Sequence, residues 1–198
     1  MNFAAVARTI WRWVRWPLLA LAVLYIALVV YRAFVLVAED ETRVAVENIH
    51  AERLTMDDVD GKHLPPPPDL AQVDATIEGI DANGNGIRDD VEFAIFEKYP
   101  NDIKIRAATL QYAKALQQGL TQVTNSGTWI AASQQEERSL RCILENVSQT
   151  SISKWSEIRE EVRESMLNTS MRTKKYEELS KYQTSFSLLE DDNCDPTS

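Results

Sequence analysis

One stretch of this chain concentrates oxygen-bearing side chains at regular spacing: Asp81-Ala82-Asn83-Gly84-Asn85-Gly86-Ile87-Arg88-Asp89-Asp90-Val91-Glu92. Acid or amide at positions one, three and five, glycine at six and glutamate at twelve satisfy the pattern D-x-[DN]-x-[DN]-G-x5-E. That spacing suits a hard cation. Asp81, Asn83 and Asn85 can put side-chain oxygens at alternate places around one point, and Ile87 offers a backbone carbonyl. Asp89 supplies an oxygen directly or through water, and Glu92 closes the sphere with both of its oxygens. Ca2+ is the expected ion, because Mg2+ demands tighter octahedral geometry. Only Asp81, Asp89 and Glu92 bring charge, so the expected affinity is weak, about 10⁻⁴–10⁻³ M. Asp90 reads as the cap of the following helix. The competing reading is an Asn/Gly-rich turn that binds nothing.

These twelve residues resemble EF-hand loops. They are more similar to the calcium cassettes of thrombospondin type 3 repeats, whose pattern D-x-[DN]-G-[DN]-G-[IV]-x-D is met by Ile87 and Asp89. An EF-hand carries its aliphatic residue at position eight, where this chain has Arg88. The run TIEGIDANGNGIRDDVE after LPPPPD also resembles a cassette of uncharacterised exported or lipid-anchored bacterial envelope proteins. That likeness covers roughly residues 60–120 and implies no particular activity. Between the prolines and the loop lie only residues 69–80, interrupted by Gly79, so a single half-hand without an incoming helix is expected. Such a loop would be structural, since a sensor needs a helix pair that opens.

The elements that must position the loop follow from periodicity. Residues 90–99 read as a short helix stopped by Pro100. A second starts at Asp102, places Ile103, Ala107, Leu110, Ala113 (or Lys114) and Leu116/Leu120 near one face, and ends around Gly119. Further helices are expected over 128–147, 153–167 and 171–189, with Tyr176, Tyr182 and Phe186 as core aromatics. Short connections suggest antiparallel neighbours in a small bundle. Upstream, Val44, Val46 and Ile49 fit either a short strand or a prolonged helix, 57–61 reads as a turn, and Pro65–Pro68 as an extended spacer.

The amino-terminal end has a different composition. Residues 16–38 hold a single charge, Arg32, and are long enough for a tilted transmembrane helix. Arg8, Arg12 and Arg15 precede them, and Glu39, Asp40 and Glu41 follow. The positive-inside rule therefore predicts a single-pass inner (plasma) membrane protein with a cytoplasmic amino terminus and an exported, periplasmic body. A cleaved signal peptide is the alternative. The net charge of −9 is an average over this basic tip and a body holding 17 bases and all 30 acids. A body so acidic excludes nucleic acid as a partner, because phosphate neutralisation needs clustered Lys and Arg.

Cys142 and Cys194 would lie on the exported side, where a disulfide can form; Cys142, beside Ile143 and Leu144, equally suits a small buried residue. His50 and His63 stand apart from any nucleophile motif, and no phosphate-binding or zinc-protease motif occurs, so no catalytic residue is assigned. The reading is a mainly α protein. Residues 1–15 form a cytoplasmic tip, 16–38 a transmembrane anchor, and 39–68 a stalk with a proline spacer. Residues 69–100 hold the calcium loop and its helix, 101–190 a small antiparallel helical bundle, and 191–198 a tail. Its partners are the lipid bilayer through 16–38 and an unidentified envelope protein, in a structural or interaction role. A calcium-dependent hydrolase and a secretion or assembly chaperone stand as alternatives.

Overall fold

Helix is the only regular structure in the computed structural model, which describes residues 3–147, 152–190 and 192–195. The helices are α1 (Phe3–Ala51), α2 (Met56–Asp60), α3 (Leu70–Val73), α4 (Asp89–Lys98), α5 (Ile103–Gln122), α6 (Ser126–Asn146), α7 (Ile152–Met166) and α8 (Ser170–Glu178), followed by a 3₁₀ turn (Leu179–Tyr182). The chain divides into two compact units, Met1–Arg43 and Val44–Ser198. Of the expected tip and tail, residues 1–2, 191 and 196–198 lie outside the described residues.

The first unit is apolar helix. Within Trp13–Ala51 an 18-residue window reaches a mean hydropathy of 2.4, and none of it is buried. Leu18, Leu24, Tyr25, Ile26 and Phe34 are all more than half exposed. A helix apolar on every side has the length and composition to cross a bilayer or to serve as a signal sequence.

In the second unit, Val44, Val46 and Ile49 belong to the end of α1, not to a strand. Most of the expected stalk is not a free spacer, because Ile49, Leu54 and Val59 are buried in the unit. The expected turn at 57–61 is helix α2. Thr55 caps it through a reciprocal exchange with Asp58, and Gly61 ends it in the left-handed region at φ 72°.

Helix α5 is the centre of the unit, packing against α2, α4, α6, α7 and α8. Asp102 caps it, accepting from the Ile105 N–H at 3.1 Å, and it runs through Gly119 to Gln122. One apolar stripe does not describe it: Ile103 is 47% exposed whereas Ile105 is buried. Fifteen of its twenty residues are buried, including Arg106, Gln111, Lys114, Gln117 and Gln118. Each of these five donates to a backbone carbonyl elsewhere: to Val59, Asn193, Asn85, Glu78 and Ile49 respectively. Polar positions that look solvated in sequence are buried donors to irregular chain.

Past α8 the chain departs from the helix expected over 171–189. Helix stops at Glu178, the 3₁₀ turn ends at Tyr182, and residues 183–190 are neither helix nor strand. They follow α6 instead. Phe186 packs edge-on against Trp129 at 5.7 Å, Gln134 donates to the Ser187 carbonyl at 2.7 Å, and Arg138 reaches the Asp192 carbonyl at 3.3 Å. Cys194 is then bonded to Cys142. From 129 to 142 is about 20 Å along a helix, whereas 186–194 as helix would cover only about 12 Å. Extended chain covers about 26 Å, so helix continued to Cys194 could not make both contacts.

Beyond the disulfide, Asp195 is 6% exposed. Its carboxylate accepts from Arg138 at 2.5 Å, the Leu54 N–H at 2.9 Å and Arg53 at 3.4 Å, and its own N–H donates to Gln111 at 2.9 Å. Asp195→Ala should therefore destabilise the unit by about 3 kcal/mol or more, since it strips the buried Leu54 N–H of its acceptor and takes a charged, hydrogen-bonded carboxylate away from the buried Arg138. Urea unfolding of both proteins with the disulfide intact measures this. A loss below about 1 kcal/mol would refute the role given to Asp195.

Candidate functional site

The 81–92 stretch folds as one loop ending in the first turn of α4, closed by the Asp89 N–H donating to the Ile80 carbonyl at 2.8 Å. Asp81 organises its first half. Its carboxylate accepts from the N–H groups of Gly84 (2.8 Å), Asn85 (3.1 Å) and Gly86 (2.8 Å). Converging three amides requires two left-handed steps, at Gly84 (φ 73°) and Gly86 (φ 83°), which only glycine takes without strain. The Asn83 side-chain oxygen accepts from the Asn85 N–H at 3.2 Å, and that of Asn85 from the Ile87 N–H at 2.9 Å. Asp89 accepts from the Ala82 N–H at 3.0 Å.

Glu92 is the focus of the second half. It is 1% exposed, and its carboxylate accepts from the side-chain amides of Asn85 (2.7 Å) and Asn83 (3.1 Å). Burial pushes the Glu92 carboxyl up to about 7, against the two amide bonds, with Asp89 and Asp81 adding to the rise. Burial likewise raises Asp89. Of the six sequence-derived ligand positions, Asn83, Asn85 and Glu92 are in direct contact, while Asp81 and Asp89 hold loop amides. Ile87 sends its side chain into the core and is fully buried. Among the described residues, no three His, Cys, Asp or Glu side chains are arranged to hold a metal ion. A cation here must therefore draw on the asparagine oxygens and a backbone carbonyl as well as the acids.

Three residues that motif reasoning passed over fix the loop in place. Arg88 is fully buried, forms a bidentate pair with Asp90 (2.5 and 2.9 Å), and donates to the Ser165 (2.6 Å) and Met166 (3.3 Å) carbonyls at the end of α7. Asp90 is thus no helix cap: Arg88 occupies the cap position of α4 without a side-chain bond there, and Asp90 neutralises its guanidinium. Arg172, also fully buried, gathers the Val73, Thr76 and Ile77 carbonyls and the Asp74 carboxylate. Lys114 reaches in from α5 to the Asn85 carbonyl at 2.8 Å, and burial lowers its affinity for its proton.

Gly79 makes the Arg88 placement possible. It lies at φ 70°, and a Cβ there would sit 2.3 Å from Arg88 Cδ. The sequence signal for these anchors was an arginine at position eight, where the motif calls for an aliphatic residue. The stalk touches the loop too, as the Asn83 amide lies 3.3 Å from the His63 carbonyl.

The raised Glu92 value has a definite sign. Its folded form holds a proton more tightly than the unfolded chain does. The stability it contributes is complete below about pH 4.5 and is lost as pH rises through about 7. Without divalent cations, the Glu92 contribution should fall by about 3 kcal/mol between pH 4.5 and pH 8. Chemical denaturation of wild type and Glu92→Gln across this range isolates the effect. Equal slopes for the two proteins would contradict it. Comparison of the chain with protein-family models, with curated proteins and with solved structures found no match in any of the three.

Proposed function

We propose that this protein is a membrane-anchored, exported helical module stabilised by one Ca2+ in the 81–92 loop, with a structural or protein-interaction role in the bacterial envelope. The ligands would be the side chains of Asp81, Asn83, Asn85, Asp89 and Glu92 and the Ile87 carbonyl. The observation that carries this reading is the buried pair Asp89 and Glu92. Two carboxylates raised by burial share a loop in which, among the described residues, the donors to Glu92 are neutral asparagine amides. A hard cation supplies the missing charge, and rotation of the two amides would turn oxygens toward it.

The neighbouring Lys114 adds a positive charge beside Asn85, which lowers affinity for a divalent ion and agrees with weak binding. The membrane part of the reading rests on the exposed apolar helix and on the charges flanking 16–38. It places the acidic helical unit outside the cytoplasm, facing an envelope protein. The Cys142–Cys194 disulfide suits an oxidising compartment.

Calcium titration of the full chain in detergent micelles tests the ion. At 10 mM Ca2+ the melting temperature should rise by about 3–5 °C, for a dissociation constant near 1 mM, with a smaller effect of Mg2+. Glu92→Gln should remove the response while leaving the metal-free protein at least as stable as wild type. An unchanged calcium response in that variant would dismiss the site. Protease protection in spheroplasts tests the orientation, with the 39–198 region expected to be digested from outside. Digestion only after membrane lysis would overturn the topology.

A further inference from the structure

A cavity of about 310 Å³ opens between α5, α6, α7 and α8, away from the calcium loop. Its walls include Gly119, Trp129, Glu136, Arg163, Tyr176 and Leu179. The volume is at the lower end of small-molecule sites, and a few polar groups set among apolar and aromatic walls is the composition of such sites.

The polar groups of the cavity are unequally satisfied. The Arg163 guanidinium lies 4.7 Å over the Tyr176 ring and 3.4 Å from its hydroxyl, so its charge is already engaged. Glu136 is not. Burial raises its carboxyl, and what opposes the rise is the charge of Arg163 and Arg159, with no hydrogen bond among the described residues. Beside it the fully buried Tyr112 hydroxyl has no partner among the described residues and feels the Glu136 charge. A second acid, Glu177, lies at the rim.

Gly119 adds an independent observation. It sits inside α5, where glycine is a poor helix former, and a Cβ built on it meets nothing within 4 Å. A larger side chain would fit the helix and would occupy the cavity. The glycine therefore keeps the space open at a cost to the helix.

We infer that this cavity binds a small organic cation, an amine on an apolar or aromatic body, with Glu136 taking the ammonium and Trp129 and Tyr176 the body. Among the described residues the acid has arginine charges near it but no hydrogen bond or ion pair, aromatic faces attract cations, and the acidic unit around it favours positively charged ligands. An anion would have to displace Tyr176 from Arg163.

Calorimetry on the full chain in nanodiscs, with 2-phenylethylamine as probe, tests the inference against phenylacetate and 2-phenylethanol. The amine should bind saturably at one site with a dissociation constant of about 1 mM, a reasonable strength for so small a ligand. Phenylacetate and 2-phenylethanol should bind at least tenfold more weakly. Glu136→Gln should weaken the amine at least tenfold without lowering the melting temperature, because it removes a buried charge that has no direct partner. Gly119→Leu should abolish binding of the amine while the melting temperature holds or rises by about 2 °C. Absence of saturation at 10 mM, equal binding of phenylacetate, or retained amine affinity in either folded variant would overturn it.

Discussion

Buried side-chain donors reaching backbone carbonyls are the interaction on which the helical unit depends. Between the end of α1 and the start of α4 the chain holds only the very short helices α2 and α3, leaving many carbonyls without a partner in secondary structure. A buried carbonyl left unpaired costs about as much as a lost hydrogen bond, so each needs a donor. The donors are long side chains. Arg106 alone serves the Val59, Tyr99 and Pro100 carbonyls, and its guanidinium stacks 4.8 Å over Phe96. Arg172 serves three more carbonyls, and Arg88 two. Arginine suits this task because its five N–H groups form a rigid fork and its charge strengthens each bond.

The same device shapes the loop. Ile87 anchors it in the core, Arg88 ties it to α7, and Lys114 holds the Asn85 carbonyl from α5. These three attachments tie its conformation to the surrounding helices. The unfavourable part of that arrangement is electrostatic. The helices bury Asp89 and Glu92 together, and both carboxyls resist ionisation. A proton and a divalent cation are alternative remedies for the same excess of negative charge, which makes proton and metal occupancy of the proposed site antagonistic.

The carboxy-terminal segment closes the unit by a second route. Its run along α6 reaches Cys194, and one residue later Asp195 joins the segment after α1 to α5 and α6 through Leu54, Gln111 and Arg138. The disulfide and the buried carboxylate act on neighbouring residues, so the covalent link holds in place the group that satisfies the Arg138 charge. In the cavity between α5, α6, α7 and α8, Glu136 is an acid with arginine charges near it but no hydrogen bond among the described residues. The contrast between Asp195 and Glu136 is informative, since both are acids facing α6 arginines or α7 arginines yet only Asp195 is fully hydrogen-bonded.

Composition and local pattern were enough for several features. The apolar run at 16–38, the twelve-residue loop motif, the cap at Asp102 and the helices α4, α6 and α7 to within about two residues all depend on nearest neighbours along the chain. Tertiary structure alone decided the rest. Residues 183–190 are not helical; they run along α6, where Phe186 meets Trp129 and Cys194 is bonded to Cys142, contacts that the local pattern does not announce. Helix α5 buries its polar side chains because it lies at the centre, where solvent is replaced by carbonyls from distant segments. Arg88, which broke the loop motif, became the loop's anchor once folding brought the end of α7 to it. Local sequence carries torsional preference and spacing, whereas the satisfaction of buried polar groups depends on which segments meet, and that is settled only by packing.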